Sequence, residues 1–195
     1  MITSQEMRNL EESSGVPRMV LMENAGKAVS KIIKDKNELK DKKILVVCYH
    51  GNNGGDGFVA AQHLSNEAEV DILFVGNENK LSKEAHSNFK KLEHNERVQF
   101  LYDEEVDFNE YDIIVDAILG IGIRGRLNRE ISAVIGDING SKAFKVSVDI
   151  PTGIDPDTGE IIDKAVNADL IVTFHDAKKG LEKFKDKVIV ADIGL

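Results

Sequence analysis

The segment Ile44–Phe58, ILVVCYHGNNGGDGF, joins an apolar run to a glycine-rich stretch. The run Ile44–Cys48 is almost continuously apolar, which is typical of a parallel strand buried on both faces. Glycines after a strand allow positive φ and a close approach of the backbone to a ligand. We therefore expect a loop that leads into a helix at Phe58–Ser65, whose first amides can bind phosphate. The alternative to a ligand-binding loop is a tight strand-to-helix connection without a binding role. A Walker phosphate loop is disfavoured, because no Lys-Ser/Thr pair follows the glycines.

Outside this segment, short apolar runs alternate with amphipathic stretches along the chain. Such alternation predicts an α/β fold, a doubly wound and mainly parallel sheet with helices on both faces in three layers. Ligands of such sheets bind at the carboxyl ends of the strands, near the switch in strand order. We expect one domain over residues 1–195 and two helices before Asp41, the first opened by a capping box at Thr3 and Glu6. The other predicted strands are Val70–Val75, Val98–Tyr102, Ile113–Leu119, Phe144–Ile150, Leu170–Phe174 and Val188–Ile193, and the other predicted helices are Ser82–Leu92 and Asn128–Asp137.

The composition disfavours several classes of partner. The formal net charge of −9 argues against nonspecific binding to nucleic acid or to an anionic membrane. No apolar run approaches the ~20 residues of a membrane-spanning helix, and the N-terminus lacks a signal-peptide pattern. The single cysteine, Cys48, cannot form an internal disulfide, and we expect a cytoplasmic location. An anionic small molecule stays possible as a ligand, because local amides bind phosphate even in an acidic protein.

A second glycine-rich segment, GIGIRGR at residues 120–126, follows a predicted strand. It matches the dinucleotide pattern GxGxxG, which alone is weak evidence. In a Rossmann dehydrogenase this pattern follows the first strand, so its late position disfavours that class. Arg124 and Arg126 can pair with phosphate through their guanidinium forks, or they can be solvated loop cations.

Polar side chains lie at the ends of three predicted strands. Asp149 would be held rigidly there and could act as a general acid or base, or could only cap the turn. Asn53, Asp116 and Thr152 are oxygen donors on neighbouring strand ends, a set that suits a hard cation or a hydrogen-bond network. The histidines and Cys48 show no zinc-ligand spacing.

Four further polar residues have no assigned role. Glu23 and Asn24 lie beside the apolar face of the second helix, either at the surface or directed into a site. Lys178 and Lys179 follow a predicted strand and could meet an anion, but lysines near a loop are more often solvated.

Four separated motifs resemble the YjeF N-terminal domain family, the NAD(P)H-hydrate epimerases. They are LMENAG at Leu21–Gly26, GNNGGDG at Gly51–Gly57, DAILGIGIRG at Asp116–Gly125 and VDIPTGID at Val148–Asp155. The resemblance implies a Rossmann-like fold and an isomerase that interconverts the (R) and (S) forms of hydrated NADH and NADPH (NADHX and NADPHX) in cofactor repair. It also implies one bound K⁺ per subunit, a homodimer, and a stand-alone form that depends on a separate NAD(P)H-hydrate dehydratase.

The resemblance further assigns roles to residues. Asp149 would contact the reacting end of the substrate and serve as the general acid/base, while Asn53, Asp116 and Thr152 would hold K⁺. The alternatives are a non-catalytic nucleotide-binding or scaffolding module on the same fold and a hydride-transferring dehydrogenase. A scaffold has no need of Asn53, Asp116 and Asp149 together. The residues implied to hold the hydrated dinucleotide are Asn52, Asn53, Gly54, Gly55, Asp56, Gly120, Ile121, Gly122, Ile123, Arg124, Gly125, Arg126 and Asp149.

Overall fold

The computed structural model describes residues 1–102, 105–123 and 125–195. Its strands are β1 Lys43–Cys48, β2 Glu69–Phe74, β3 Val98–Leu101, β4 Ile113–Ala117, β5 Phe144–Val148, β6 Leu170–Phe174 and β7 Val188–Ala191. All pair in parallel in one sheet of order β3-β2-β1-β4-β5-β6-β7. This is the doubly wound Rossmann order with one added edge strand, so the predicted fold class is confirmed.

Every predicted strand is present, with ends shifted by at most two residues. The run predicted at Phe144–Ile150 ends early, at Val148, because Asp149 has a φ of 64° and leaves the extended conformation. The helices are α1 Ser4–Ser13, α2 Arg18–Lys36, α3 Asn52–Leu64, α4 Lys83–Glu93 and α5 Arg129–Gly140, with 3₁₀ segments at Glu78–Lys80, Phe108–Glu110 and Lys179–Lys187.

The first helix begins at the predicted capping box. The Thr3 hydroxyl accepts a hydrogen bond from the Glu6 amide at 3.2 Å, and the Thr3 amide donates to Glu6 Oε2 at 2.8 Å. No helix in the described ranges combines the length and the apolar character needed to cross a bilayer.

The predicted helix start at Phe58 is wrong, because α3 begins at Asn52 and contains the glycine-rich stretch. None of its glycines has a positive φ. They are required instead by close packing: a Cβ on Gly54 would overlap the Tyr49 carbonyl oxygen, and one on Gly57 would lie 2.5 Å from the Ala117 Cβ. The glycines therefore let the first two turns of α3 lie directly against the strand ends.

Helices cover both faces of the sheet. Along β1, Val46 faces a core with Phe58 of α3, while Leu45 faces a second core with Ile135 of α5. Both strand residues are fully buried. This two-sided burial is the reason that the strand sequences lack polar alternation.

The strand order reverses between β1 and β4, which pair in register from Ile44↔Ile113 to Cys48↔Ala117. The chain leaves β1 toward β2 on one side and leaves β4 toward β5 on the other. Connections that diverge in this way leave a crevice at the carboxyl ends of the strands.

Candidate active site

A cavity of about 340 Å³ lies at the carboxyl ends of β1, β4, β5 and β6. Its volume is in the range of small-molecule sites, and its position is the one expected for this strand order. Residues of α1 and the start of α3 close the opposite side. The predicted binding residues that line it are Asn52, Asn53, Asp56, Gly120, Ile121, Gly122, Ile123 and Asp149.

The remaining predicted binding residues lie elsewhere. Gly54 and Gly55 are buried in α3, where Gly55 packs against the side chain of Met22. Gly125 and Arg126 are exposed, and neither lines this cavity. Arg124 lies outside the described residues.

Asp149 follows β5 at the centre of a three-residue turn, in which the Ile150 amide donates to the Val148 carbonyl at 2.8 Å. A φ of 64° is uncommon for a residue with a side chain, and such strain concentrates at functional sites. The Asp149 amide is held by the Val172 carbonyl at 2.7 Å. The turn thus directs a largely buried carboxylate, 7% exposed, into the cavity wall.

Lys178 is the partner of this carboxylate. Its Nζ lies 2.7 Å from Asp149 Oδ1, and its side chain is completely buried. The general rule that lysines near a loop are solvated therefore fails for Lys178, while Lys179 is exposed as that rule expects. No local pattern in the sequence identifies the pairing, because it depends on β5 and β6 lying side by side.

Asp116 and Thr152 form the hydrogen-bond network that was one of the two alternatives for them. Asp116 Oδ1 accepts from the Thr152 hydroxyl at 2.6 Å, and Oδ2 accepts from the Thr152 amide at 2.9 Å and the Ser147 hydroxyl at 2.8 Å. The Ile118 amide adds a longer bond of 3.3 Å. Burial raises the pKa of the Asp116 carboxyl, and these hydrogen bonds oppose that rise.

The hydrogen bonds of Asn53, Asp116 and Thr152 show whether these predicted cation ligands have oxygen atoms to offer to an ion. Asn53 is buried, and neither its Oδ1 nor its Nδ2 has a partner among the described residues. Asp116 is a buried carboxylate whose hydrogen-bond partners within the described residues are hydroxyl and amide groups rather than basic side chains. Asn53 thus offers an unpaired amide oxygen and Asp116 a buried carboxylate, and both are the oxygen ligands that a hard cation takes. In the described ranges, no three His, Cys, Asp or Glu side chains cluster to hold a metal by themselves.

Three further carboxyl groups line the cavity: Glu12, which lies 3.7 Å from Arg18, and Glu11 and Asp56, which have perturbed pKa values. Burial raises the pKa of Asp56 well above its usual value, and the charges of Asp149 and Glu11 raise it further. Burial is also the main cause of a raised pKa at Glu11, with the Asp149 charge second. Both groups are thus shifted toward the neutral form, and no hydrogen bond to either carboxyl group within the described residues opposes the shift. Glu11 was not identified from the sequence.

α1 also holds the second glycine-rich segment. Arg8 donates from Nη2 to the Ile121 carbonyl at 2.6 Å, and both residues line the cavity. Arg18, at the start of α2, is a second cation at the cavity wall.

His50 and Tyr49 form an aromatic pair at the same wall, with ring centroids 3.8 Å apart. Burial, followed by the nearby charge of Lys80, lowers the pKa of His50.

Glu23 and Asn24 take structural positions away from this cavity. Glu23 contacts His63 of α3 and Lys27 of its own helix, each at 3.1 Å. Asn24 donates to the Ile193 carbonyl at 2.8 Å and so ties α2 to the C-terminal segment.

Comparisons with known proteins agree with this architecture. A crystal structure of the yeast protein ynu0 superposes with a TM-score of 0.86, covering 97% of this chain and 86% of that chain at 23% identity. This likeness concerns the fold. The bifunctional NAD(P)H-hydrate repair enzyme Nnr of Methanopyrus kandleri is 45% identical over 95% of this chain, which spans 39% of that protein. The first curated relatives are thus more than twice as long as the region they share with this chain.

Shorter relatives match along most of their length. The NAD(P)H-hydrate epimerase of Nitrosopumilus maritimus is 38% identical over 95% of this chain and 89% of its own. The NAD(P)H-hydrate epimerase of Oenococcus oeni is 37% identical over 100% of this chain and 96% of its own. The model of the family described as YjeF-related protein N-terminus matches residues 18–180. On the fold, the cavity at the strand switch and these matches, the chain belongs to the YjeF-related protein N-terminus family.

Proposed function

We propose that this protein is an NAD(P)H-hydrate epimerase, an isomerase that interconverts the (R) and (S) forms of NADHX and NADPHX. The observation that carries the proposal is the carboxylate of Asp149, fixed by Lys178 at a cavity at the strand switch point. Relatives named NAD(P)H-hydrate epimerase, at 36–38% identity over nearly the whole chain, support the same activity.

The cavity offers groups for a dinucleotide with two phosphates. The first amides of α3, at Asn52 and Asn53, have no partner inside the helix, and a helix start favours anions. Arg8 and Arg18 add positive charge to the same cavity. Gly120 keeps the space beside Asp149 open, since a Cβ there would lie 3.2 Å from Asp149 Oδ2 and 3.1 Å from Asn53 Oδ1. The reacting ring would then be bound next to Asp149.

The reaction must break and remake a C–O bond at the ring carbon beside the nicotinamide nitrogen. The nitrogen lone pair expels the protonated hydroxyl as water and leaves an iminium ion. Water then adds from the other face, and a base removes its proton. Asp149 is the proposed general acid/base: its carboxyl group gives a proton to the departing hydroxyl, and the resulting carboxylate takes a proton back from the adding water, so that each turnover restores the starting state. A positioned proton carrier of this kind contributes about 10²–10⁴-fold in rate, so binding and orientation must supply the remainder.

K⁺ is the proposed cofactor, held by Asn53, Asp116 and Thr152. A bound K⁺ would compensate the buried Asp116 charge and engage the Asn53 amide oxygen, which is otherwise unpaired. As a monovalent ion it supplies charge compensation and order at the strand ends, while the proton transfer is assigned to Asp149.

The proposal extends to partners. Relatives named bifunctional NAD(P)H-hydrate repair enzymes support a functional link to a dehydratase that acts on the same hydrated cofactors. We also propose a homodimer in the cytoplasm. Val20 of α2 is 44% exposed and is an apolar contact of the kind that a dimer would cover.

The activity is tested by adding the protein to pure (R)-NADHX in potassium buffer and separating the epimers by chromatography over time. The expected result is a rapid approach to the epimer equilibrium, reduced at least 10²-fold in Asp149→Asn. Asp137→Asn, an exposed carboxylate on α5, is the matched control and should retain full activity. A folded wild-type protein that does not exceed the spontaneous rate would favour the nucleotide-binding or scaffolding module instead.

A further inference from the structure

Lys178 is completely buried, unlike its exposed neighbour Lys179. Its ammonium has three protons and meets three acceptors: Asp149 Oδ1 at 2.7 Å, Thr173 Oγ1 at 3.1 Å and the Phe174 carbonyl at 3.0 Å. A lysine has no further hydrogen-bonding capacity. Since the side chain is 0% exposed, no donor is left over for a substrate, a phosphate or water.

The acceptors themselves fix the direction in which the ammonium points. The Phe174 carbonyl lies in a three-residue turn centred on His175, where the Asp176 amide donates to it at 2.7 Å. His175 has a φ of 63°, so the turns after β5 and β6 share the same unusual backbone conformation. Thr173 also donates from its hydroxyl to Asp149 Oδ1, at 3.2 Å. One carboxylate oxygen is therefore held from two directions.

The second carboxylate oxygen is left for chemistry. Asp149 Oδ2 makes no hydrogen bond within the described residues, and it faces Gly120 at the cavity wall, where even a Cβ would come within 3.2 Å of it. A carboxylate that is anchored through Oδ1 alone presents Oδ2 in one orientation. Such pre-organisation is what a proton acceptor needs, because a displacement of about 1 Å in a reacting group can cost about 10²-fold in rate.

We propose that Lys178 is a positioning residue of the epimerase: it holds the Asp149 side chain in one orientation and neither binds substrate nor transfers a proton itself. This inference rests on the proposed function, because it assigns a purpose to the orientation of Asp149. It predicts that Lys178 acts only through Asp149. The loss caused by removing the lysine should accordingly appear in kcat, with the KM for the hydrate little changed.

The test is a double-mutant cycle on the full chain, with epimerisation of (R)-NADHX as the measured rate. Lys178→Met should lower kcat by about 10²-fold in the wild-type background, and it should change kcat by less than about threefold in the Asp149→Asn background, since residues that act as a unit are non-additive. Lys179→Met is the matched control, because that neighbour is exposed and outside the cavity. It should leave both rates unchanged.

Loss of a buried lysine can prevent folding, so Thr173→Val provides a milder second route. Valine preserves the shape of the side chain but removes one acceptor of Lys178 and one donor to Asp149. Thr173→Val should lower kcat in the wild-type background and should change kcat little in the Asp149→Asn background. Full additivity of either substitution with Asp149→Asn, or a loss confined to KM, would overturn the positioning role. A wild-type protein without activity would refute the proposed function itself, which is a distinguishable outcome.

Discussion

Two parts of the cavity wall differ in how completely their polar groups are paired. The strand-end cluster consists of Asp116, Ser147, Asp149, Thr152, Thr173 and Lys178 and is built from hydrogen bonds and one ion pair within itself. The helix wall consists of the buried Asn53, whose amide is unpaired among the described residues, and of the half-buried Glu11 and Asp56, whose side chains have no ion pair or hydrogen bond in the same ranges.

The difference separates groups that are fixed before a ligand arrives from groups that await one. Hydrogen bonds within the strand-end cluster hold Asp149 Oδ1 and both Asp116 oxygens in place, which suits a proton acceptor and its supports. Unpaired buried polar groups cost stability and are retained where a ligand or ion satisfies them. Substitutions in the cluster should therefore lower the free energy of unfolding, whereas substitutions in the helix wall should preserve or raise it while they impair binding.

The largest expected effect is that of Asp116→Ala in the strand-end cluster. Alanine would leave the Ser147 hydroxyl and the Thr152 amide buried without an acceptor, and the Thr152 hydroxyl would keep only its longer bond to the Leu119 carbonyl, at 3.3 Å. We expect the free energy of unfolding to fall by about 4–5 kcal/mol, measured by urea denaturation without K⁺. The exposed-site control Asp137→Ala should change it by less than about 0.5 kcal/mol. Equal losses in the two variants would remove the distinction between cluster and surface.

Gly54→Ala tests the close contact between α3, which carries part of the helix wall, and Tyr49 directly after β1. The added Cβ would overlap the Tyr49 carbonyl oxygen, and a backbone atom can yield only by moving α3 away from β1. We expect a loss of about 3 kcal/mol in unfolding free energy, the upper part of the usual range for overpacking. Gly140→Ala is the control, because nothing lies within 4 Å of a Cβ at that position. A Gly54→Ala protein as stable as the control would contradict the close packing of α3.

Asp56→Asn should raise the free energy of unfolding, whereas the two preceding substitutions should lower it. Burial and the charges of Asp149 and Glu11 raise the pKa of Asp56, so the folded protein holds this proton more tightly than the unfolded chain. Stability then falls as pH rises from the unfolded value of about 3.9 through the raised folded value, and the penalty is complete above it. Asparagine does not titrate and avoids the penalty.

We therefore expect Asp56→Asn to gain about 0.5–2 kcal/mol at pH 8 and to approach wild type in acid, measured by urea denaturation across pH. Asp137→Asn, at an exposed site, should show no such pH-dependent gain. An Asp56→Asn protein that is less stable than wild type at pH 8 would mean that the carboxylate is paired in the folded state, against the picture of the helix wall.

The smallest expected effect is that of K⁺ on thermal stability. If Asn53 offers its unpaired oxygen to the ion, KCl should raise Tm by about 2–4 °C relative to equal LiCl, corresponding to about 1 kcal/mol. Asn53→Ala should abolish this difference, and the exposed-site control Asn66→Ala should retain it. A rise of equal size with both salts, or in Asn53→Ala, would remove K⁺ from this site.

Much of the fold follows from local sequence patterns. The runs around Leu45 and Val46 predict strands because both faces of the sheet are covered, and two-sided burial leaves no place for polar alternation. The polar residues at strand ends, including Asp116 and Asp149, are predictable because parallel strands place their carboxyl ends at one edge. The start of α3 was not predictable in this way, because glycine lowers helix propensity and the close contacts of Gly54 with Tyr49 and of Gly57 with Ala117 exist only in the folded chain.

The sequence by itself therefore determined the parallel α/β architecture, the position of the ligand cavity and the family. The tertiary structure alone decided that Lys178 is buried against Asp149, that Thr152 donates hydrogen bonds to Asp116, and that Glu11 and Arg8 of α1 line the cavity. The physical reason is the separation along the chain of the residues that interact. Strand and helix patterns depend on neighbours along the chain, whereas burial and charge pairing at the site depend on which strand ends and helices the fold brings together.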